Sequence, residues 1–170
     1  KKKNRPYKGF LYVGLMIKNN EPYLIEYNIR MGDPECQVIL PRLKTDLVKI
    51  ISNTVANKLK KTKIEWKKNK SMTIVLCSKG YPGNYKKNQN IKNINKLKLS
   101  ENEFIYHAGT KFNNGQLLSS GGRVLNITAV GENFLNIRTK IIKLIKKLDW
   151  KAGFYRKDIG WKVINKNANN

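Results

Sequence analysis

The sequence predicts an α/β fold of the α+β kind, with strands and a few helices in two successive domains. Short β-rich apolar runs alternate with turn signals, which predicts hairpins and short strands. Two longer segments, 45–59 and 132–148, repeat apolar residues at helical spacing. A Lys-rich, weakly patterned stretch at 57–71 separates the two halves. We therefore predict one domain at 1–69 and another at 70–170.

The first half is predicted to be a hairpin followed by a helix. GFLYVGLMI (9–17) and YLIEY (23–27) predict two strands, and NNEP between them is a turn signal. GDPE ends the second strand, because proline keeps the residue before it out of the helical region. TDLVKIISNTVANKL (45–59) predicts a helix with Thr45 as its N-cap. Its apolar stripe comprises Leu47, Val48, Ile50, Ile51, Val55 and Leu59.

The second half is predicted to be a small sheet with a packed helix. SMTIVLC (71–77) predicts a strand that ends in the turn SKGYPG. FIYHAGT, GQLLSS and RVLNITAV predict three short strands, linked by NNG and SGG turns. ENFLNIRTKIIKLIKKL (132–148) predicts an amphipathic helix with one face on the core and a basic outer face. The segment GFYRKDIGW is expected to pack on the sheet or to complete it.

The chain is strongly basic: 35 Lys and Arg against 11 Asp and Glu give a formal net charge of +24. Such a balance keeps a basic nucleic-acid-binding module open as an alternative function. Nearly all of the positive charge is Lys, whereas Arg is the usual base-reading residue. The Lys residues are also interleaved with Asn and Ile along the whole chain, which indicates a compositional bias more than a binding stripe.

No membrane span is predicted, since the sequence contains no run of eighteen apolar residues. Cys36 and Cys77 are far apart and lack the spacing of metal ligands. We expect them to be reduced, buried thiols of a cytoplasmic protein, with a disulfide as the open alternative.

The strand YLIEYNIR carries the first candidate site, because side chains alternate between the two faces of a strand. Glu26, Asn28 and, if the strand continues, Arg30 lie on one face. Carboxylate and amide oxygens are ligands that Mg²⁺ prefers, and Mg²⁺ often takes only one or two protein ligands beside nucleotide phosphates. The alternative is a solvent-facing polar face with an ordinary ion pair. The opposite face is apolar and is predicted to pack on a core; it comprises Tyr23, Ile25, Tyr27 and Ile29.

Four further charged residues are candidates for substrate binding. Asp33 and Glu35 in the GDPE turn can grip an ammonium group or cap the next segment. Lys111 and Arg123 follow the small-residue turns AGT and SGG, where we expect backbone N–H groups open to an anion such as a phosphate. The alternative for Lys111 is an ordinary surface lysine. His107 is predicted to be packed and hydrogen-bonded, not catalytic.

Several segments together resemble the phosphoribosylamine–glycine ligases, the glycinamide ribonucleotide synthetases of purine synthesis. GFLYVGLMI…YLIEYNIRMGDPECQVILPRLKTDLV contains RMGDPE where the family signature is R-F-G-D-P-E, with Met31 at the Phe position. The resemblance continues through SKGYPGNY, YHAGTK, SSGGRVLNITAVGE and FYRKDIGW. It covers nearly the whole chain in order.

This resemblance implies an ATP-grasp enzyme. In that family ATP phosphorylates the carboxylate of glycine, and the amine of phosphoribosylamine then attacks the acyl phosphate. The resemblance implies that 1–69 is the end of the ATP-grasp domain, made of antiparallel strands plus a helix. It implies that 70–170 is a small mixed β-sheet or barrel-like carboxyl-terminal domain with one or two helices.

The resemblance also implies roles for the candidate residues. Glu26 and Asn28 match the metal-ligand pair and would hold Mg²⁺ or Mn²⁺ at the phosphates of ATP. From charge and place we infer that Arg30 steadies the phosphoryl group. On the same grounds we infer that Asp33 and Glu35 position glycine and the sugar substrate. Arg30 and Asp33 are the catalytic candidates. Lys111 and Arg123 are candidates for the ribose phosphate.

The family enzyme is longer than this chain. It also has an amino-terminal domain with a glycine-rich turn and the first part of the ATP-grasp module, and no G-x-G-x-x-G or Walker-type loop occurs here. We therefore expect a carboxyl-terminal portion that is inactive alone, with the other segments on the same chain or on a separate one. An alternative is another ATP-grasp carboxylate–amine ligase with the same metal pair. The motifs RMGDPE and SSGGRVLN argue against this alternative.

Overall fold

The computed structural model describes residues 6–166 and divides into two compact units. The first unit contains 6–36 and 43–67, and the second contains 37–42 and 68–166. The predicted mixed fold with antiparallel sheets and few helices is confirmed. The assignment of domains at 1–69 and 70–170 stays a prediction, and the break between residues 67 and 68 is the structural feature nearest to it.

The first unit begins with the predicted hairpin. Strand β1 (Tyr12–Lys18) pairs antiparallel with strand β2 (Glu21–Asn28). The two residues between them, Asn19 and Asn20, have φ values of 53° and 63°. Two successive left-handed residues match the twist of a tight hairpin, and Asn tolerates that conformation better than most residues. This turn fixes which residues lie opposite each other from Lys18 and Glu21 as far as Leu15 and Leu24, where a β-bulge shifts the register.

The predicted apolar face of this hairpin does not pack on a core. The side chains of Tyr23, Ile25, Tyr27 and Ile29 are each between 56% and 73% exposed. Two strands alone form a single layer, and no described part of the chain covers this face. The expectation that the face is buried is therefore wrong for residues 6–166. The β-bulge also separates Tyr23 from the others, because Tyr23 lies opposite Met16, on the same face as Gly14 and Glu26.

A short helix, α1 (Glu35–Ile39), and a 3₁₀ turn (Leu40–Arg42) lead to helix α2 (Leu47–Val55). The predicted N-cap at Thr45 is wrong, since Asp46 caps the helix by accepting the backbone N–H of Lys49 at 2.8 Å.

The hydroxyl of Thr45 instead accepts the backbone N–H of Glu65 at 2.7 Å. The helix is shorter than predicted, because Asn57 adopts a left-handed φ of 58° just past its end. Of the predicted apolar stripe only Ile50 is buried.

The second unit is built on a four-stranded antiparallel sheet with the order β4–β7–β3–β8. These strands are β3 (Lys70–Ser78), β4 (Glu103–His107), β7 (Arg123–Gly131) and β8 (Gly153–Phe154). Strand β7 lies between β3 and β4, and all of its residues from 124 to 130 are buried. The predicted strand at 71–77 is confirmed, and β8 confirms that the GFYRKDIGW segment extends the sheet.

A second hairpin separates β4 from β7. Its strands are β5 (Thr110–Asn113) and β6 (Gln116–Ser119), and they turn through Asn114 and Gly115, whose φ values are 46° and 73°. The NNG turn signal is thus confirmed. The segment FIYHAGT, predicted as one strand, is divided between β4 and β5, because the chain turns at Gly109.

Helix α3 (Phe134–Lys147) packs against β3 and β7 and confirms the predicted amphipathic helix. Asn133 caps it by accepting the backbone N–H of Asn136 at 2.8 Å. The buried face of α3 comprises Ile137, Ile141, Leu144 and Ile145. Each of these side chains contributes on the order of 1.5–3 kcal/mol to the hydrophobic stabilisation of this unit. A final helix, α4 (Trp161–Lys166), follows β8.

No helix within residues 6–166 is both long and apolar enough to cross a membrane. Cys36 and Cys77 are not joined in a disulfide. Both are half-buried, so the expectation that they are buried is wrong.

Candidate active site

The two predicted metal ligands lie on one face of the first hairpin. Within β2, Glu26 and Asn28 are two residues apart, and the pairing between β1 and β2 is regular over this stretch. Tyr12 lies opposite Asn28, and Gly14 lies opposite Glu26. Because residues directly opposite in an antiparallel pair share a face, these four residues form one small surface. The hairpin register therefore extends the predicted pair by a phenol and a glycine.

Gly14 makes room for this arrangement. A Cβ atom on Gly14 would lie 3.1 Å from Cγ of Glu26 and 3.6 Å from the ring of Tyr12. A Cβ atom at position 14 would thus crowd the side chain of Glu26, whereas the ring of Tyr12 lies at ordinary contact distance. The β-bulge that follows, between Gly14 and Leu15, increases the local twist of the strand at this point.

The predicted continuation of the strand to Arg30 is not observed. Strand β2 ends at Asn28, and the exposed guanidinium of Arg30 donates from Nη1 to the carbonyl oxygen of Met31 at 3.0 Å. Arg30 is therefore held at the mouth of the RMGDPE turn and is not on the face formed by β2. The phenol of Tyr7 supports the same end of the strand by donating to the carbonyl oxygen of Ile29 at 3.1 Å.

Glu35 contacts Tyr12, which lies on the face that carries the metal-ligand pair. Its Oε1 accepts a long hydrogen bond from the hydroxyl of Tyr12, at 3.4 Å. The other carboxylate oxygen lies 2.2 Å from the place of a Cβ atom on the buried Gly32, so only glycine leaves space for it. The pKa of Tyr12 is raised by the charge of Glu35 first, then by partial burial, the hydrogen bond to Glu35 and the charge of Glu26. Both carboxylates therefore act on the same phenol.

Asp33 lies at the turn beside Cys36. The backbone N–H of Cys36 donates to the carbonyl oxygen of Gly32 at 2.9 Å, which closes the turn. Burial raises the pKa of the Cys36 thiol, and the charge of Asp33 raises it further. The turn is thus a second locus of negative charge next to the face of Glu26 and Glu35.

The donor set of this face fits a hard divalent cation. Glu26 is exposed and Asn28 is half-buried, so their oxygens are accessible. Among residues 6–166, no group of three or more His, Cys, Asp or Glu side chains could hold a metal ion. A cation on this face would then take one carboxylate and one amide oxygen, and the rest of its coordination from water or phosphate. That is the usual situation of Mg²⁺ at nucleotides.

The second set of predicted residues lies in the other unit. Lys111 is exposed on β5, and Arg123 is exposed at the start of β7. Between them the backbones of Gly109 and Gly121 meet: a Cβ atom on Gly109 would lie 2.7 Å from Cα of Gly121 and 2.6 Å from the carbonyl oxygen of Arg123. Glycines are required here because two main chains approach without side chains between them.

Backbone groups at this contact are already engaged. The N–H of Gly109 donates to Arg123 at 2.9 Å, and those of Ser120 and Gly121 donate to the carbonyl oxygen of Gly109 at 2.7 and 3.3 Å. The expectation that the N–H groups of these turns are open to an anion is therefore wrong for these three amides. Any anion bound here would depend on the side chains of Lys111 and Arg123.

His107 is exposed at the end of β4, so the expectation of a packed histidine is wrong. Its Nδ1 does form a hydrogen bond with the hydroxyl of Thr110 at 3.0 Å, as a hydrogen-bonded role requires.

Sequence reasoning missed Tyr12, Gly14 and Gly32 as parts of the site. The signal for Tyr12 and Gly14 was present, because a two-residue Asn-Asn turn sets the register of the hairpin. The bulge hides it, since counting back from the turn through an extra residue assigns the wrong faces.

Family models match both halves of the chain. "Phosphoribosylglycinamide synthetase, C domain" matches residues 71–162. The chain belongs to the phosphoribosylglycinamide synthetase family. A second model of the same family, "Phosphoribosylglycinamide synthetase, ATP-grasp (A) domain", matches residues 1–36, the segment with the Glu26–Asn28 face. The resemblance of the sequence to this family is thereby confirmed.

Curated relatives in the phosphoribosylglycinamide synthetase family cover almost all of the chain. "Phosphoribosylamine--glycine ligase" of Agrobacterium fabrum is 46% identical over 163 residues, which are 96% of this chain and 38% of the relative. The chloroplastic enzyme of that name from Arabidopsis thaliana is 39% identical, over 92% of this chain and 30% of the relative. The chain thus spans less than two fifths of the length of these relatives.

A solved structure supports the same family fold. The phosphoribosylamine–glycine ligase of Thermotoga maritima matches with a TM-score of 0.72 and 32% identity, over 87% of this chain and 36% of that one.

Proposed function

We propose that this chain is the carboxyl-terminal part of a phosphoribosylamine–glycine ligase, which joins glycine to 5-phosphoribosylamine at the expense of ATP. The observation that carries the proposal is the face of β2, where Glu26 and Asn28 present two hard oxygen donors inside the segment matched by the ATP-grasp model. The names of relatives up to 46% identical support the substrates. The reaction proceeds through a glycyl phosphate and yields glycinamide ribonucleotide.

Glu26 and Asn28 are the residues that we propose to hold Mg²⁺ or Mn²⁺. When bound, such a cation offsets negative charge on the phosphates of ATP during phosphoryl transfer. The chain itself contributes position: both side chains project from a paired strand, and their spacing is fixed by the β2 backbone. Groups held in place by a rigid element need little reorganisation during the reaction.

Arg30 and Asp33 are the proposed catalytic residues. The guanidinium of Arg30 is exposed beside the RMGDPE turn and can reach a phosphoryl oxygen through its remaining N–H donors. Asp33 and Glu35 place carboxylates on the same turn, where they suit the ammonium of glycine and the amine side of phosphoribosylamine. Close placement of reactants is the main contribution that such a site makes to the rate.

Lys111 and Arg123 are proposed to bind the ribose phosphate. Their side chains flank the contact between Gly109 and Gly121, which holds the ends of β5 and β7 together. The planar fork of Arg123 suits bidentate binding of a phosphate, whereas Lys111 adds a point charge. The proposal rests on these side chains alone, because the neighbouring amides are engaged.

We propose that catalysis also needs the amino-terminal and central ATP-grasp segments that longer relatives possess. The chain by itself should therefore release no ADP from ATP in the presence of glycine and phosphoribosylamine. Robust turnover by these 170 residues would contradict the proposal of a partial enzyme.

The direct test is a chimaera in which this chain replaces the matched 38% of the Agrobacterium fabrum relative. We expect the chimaera to form glycinamide ribonucleotide, and Glu26→Gln to lower that rate by about 10²-fold or more, as loss of one electrostatic contact in a phosphoryl-transfer site does. Glu21→Gln is the matched control, since Glu21 is an exposed carboxylate at the far end of the same strand, opposite Lys18 beside the hairpin turn.

Equal losses in the Glu26 and Glu21 variants would overturn the metal assignment. An inactive but folded chimaera would overturn the proposed enzyme.

We also propose a cytoplasmic location, because the chain has only two cysteines, Cys36 and Cys77, which are far apart in sequence and not joined in a disulfide. Recovery of the protein in a membrane or extracellular fraction would contradict it.

A further inference from the structure

Tyr12 is a residue of the first hairpin to which the proposed function gives no role. We propose that Tyr12 is a positioning residue that holds the carboxylate of Glu35 over the Glu26–Asn28 face, so that Glu35 adds its charge to the cation site. The inference rests on the proposed function for the identity of that site. It gives Glu35 a role at the cation site in addition to its proposed role in substrate binding.

The first support is the register of the hairpin. Tyr12 lies directly opposite Asn28, and Gly14, the next residue of β1 on that face, lies opposite Glu26. The nearest carbon of the Tyr12 ring is 3.6 Å from the place of a Cβ atom on Gly14, which is ordinary van der Waals distance. The phenol therefore belongs to the surface on which both proposed metal ligands lie.

The second support is the connection to Glu35. The hydroxyl of Tyr12 donates to Oε1 of Glu35 at 3.4 Å, and the two residues are 23 positions apart in sequence. Glu35 is the first residue of α1, so the hydrogen bond joins the start of a helix to an otherwise separate strand. A long hydrogen bond of this kind leaves room for the carboxylate to adjust when a cation arrives.

The third support is the space at Gly32. The Oε2 atom of Glu35 lies where a Cβ of residue 32 would be, 2.2 Å from that position. A carboxylate folded back over its own turn in this way faces the hairpin and not the solvent beyond α1. Glu35 is only half-exposed as a result.

Tyr12 thus has Glu35 as a hydrogen-bond partner, Asn28 opposite it on β2 and the carboxylate of Glu26 near enough to act on its hydroxyl. Two carboxylates placed close together repel each other unless a positive charge lies between them. Outer partners that orient the ligands of a metal typically change its affinity by 10–100-fold. Tyr12, which can donate its hydroxyl hydrogen without adding charge, suits the role of such a partner.

The test uses the whole chain and Mn²⁺ as the probe. Affinity is measured by water-proton relaxation for the wild type, Tyr12→Phe, Glu35→Gln and the double variant. We expect each single variant to bind Mn²⁺ about 10-fold more weakly, and the double variant to be no weaker than either single one. Tyr27→Phe is the matched control, because Tyr27 lies on the opposite face of the hairpin and is exposed.

A second readout locates the cation without relying on affinity. In a chain labelled at the phenolic carbon of tyrosine, Mn²⁺ should broaden the Tyr12 signal at lower concentration than the Tyr27 signal. The Tyr12 resonance is assigned by its loss in Tyr12→Phe, and unchanged signals of the other tyrosines in that variant show that the fold is kept.

The outcomes separate this inference from the proposed function. If Glu26→Gln removes Mn²⁺ binding while Tyr12→Phe leaves it unchanged, only the role of Tyr12 is overturned. Additive losses in Tyr12→Phe and Glu35→Gln would also overturn it, because the two residues would then act independently. If Glu26→Gln leaves the affinity unchanged, the metal pair of the proposed function is wrong.

Discussion

Cys36 shows how the acidic turn affects a neighbouring group at the scale of a single residue. Burial and the charge of Asp33 both raise the pKa of its thiol. At any pH below the raised pKa, a smaller fraction of the thiol is thiolate, and the thiolate is the reactive form. Cys36 should therefore react with iodoacetamide more slowly at pH 8 than an unperturbed thiol.

Replacing Asp33→Asn removes one of the two causes and should accelerate the alkylation of Cys36, as followed by mass spectrometry of its peptide. The rate at Cys77 is the internal control and should not change. An unchanged rate at Cys36 would show that Asp33 does not act on the thiol.

At the scale of single residues, the sequence predicts the face of a side chain correctly where the alternation of side chains along a strand is sufficient. Glu26 and Asn28 share a face because the strand has period two, and no partner is needed to know it. The same argument places Arg30 on this face, which is wrong because the strand ends two residues earlier, at Asn28. Thr45 and Asp46 are both good N-caps, and the choice between them depends on Glu65, twenty residues away, which engages the hydroxyl of Thr45.

Among the helices, α3 depends on a single side-chain cap. Asn133 accepts the backbone N–H of Asn136 at 2.8 Å, which satisfies one of the four N–H groups left open at the start of a helix. We expect Asn133→Ala to lower the free energy of unfolding of this chain by about 1 kcal/mol.

The control is Asn136→Ala, since Asn136 uses only its backbone in this hydrogen bond and its side chain is exposed. Denaturant titrations followed by circular dichroism compare the two. Similar losses in both variants would mean that helix propensity, and not capping, sets the effect.

At the scale of elements, the strongly patterned segments were predictable and the weakly patterned ones were not. The helix at 132–148 was predicted within two residues of α3, because four of its apolar residues repeat on one face and are all buried. The segment FIYHAGT could not be resolved into two strands, because the break depends on the contact of Gly109 with Gly121. That contact joins residues twelve positions apart, which no local pattern reports.

At the scale of the whole molecule, the two units differ in how their strands are covered. Strand β7 is paired on both edges and buried from residue 124 to 130, whereas β1 and β2 form a hairpin with exposed side chains on both faces. Slow exchange of amide hydrogens requires buried and paired backbone.

We therefore expect the amides of Leu125 and Ile127 to exchange about 10³-fold or more slowly than those of β2, a difference of roughly 4 kcal/mol in opening free energy. Hydrogen exchange followed by NMR or mass spectrometry measures this. Equal protection in both strands would contradict the exposed state of the hairpin.

The whole-molecule charge is the feature that sequence reasoning handled least directly. The chain has a net charge of +24, yet composition does not identify its family. The family is identified by short sequence motifs in a fixed order, which include the segments around Glu26, Gly109 and Arg123. Charge acts at long range and is shared by many folds, so it identifies a class of partners poorly. Specific spacing of a few residues is the better guide.

The glycine-to-glycine crossing between Gly109 and Gly121 has a consequence for how this unit can vary. Main-chain atoms alone form the crossing, so it does not depend on the identity of the residues that follow it. The side chains at positions 111 and 123 can therefore be exchanged for longer, shorter or neutral ones while the loops keep their shape. Affinity for an anionic sugar could be tuned at these two positions while the main-chain crossing stays in place.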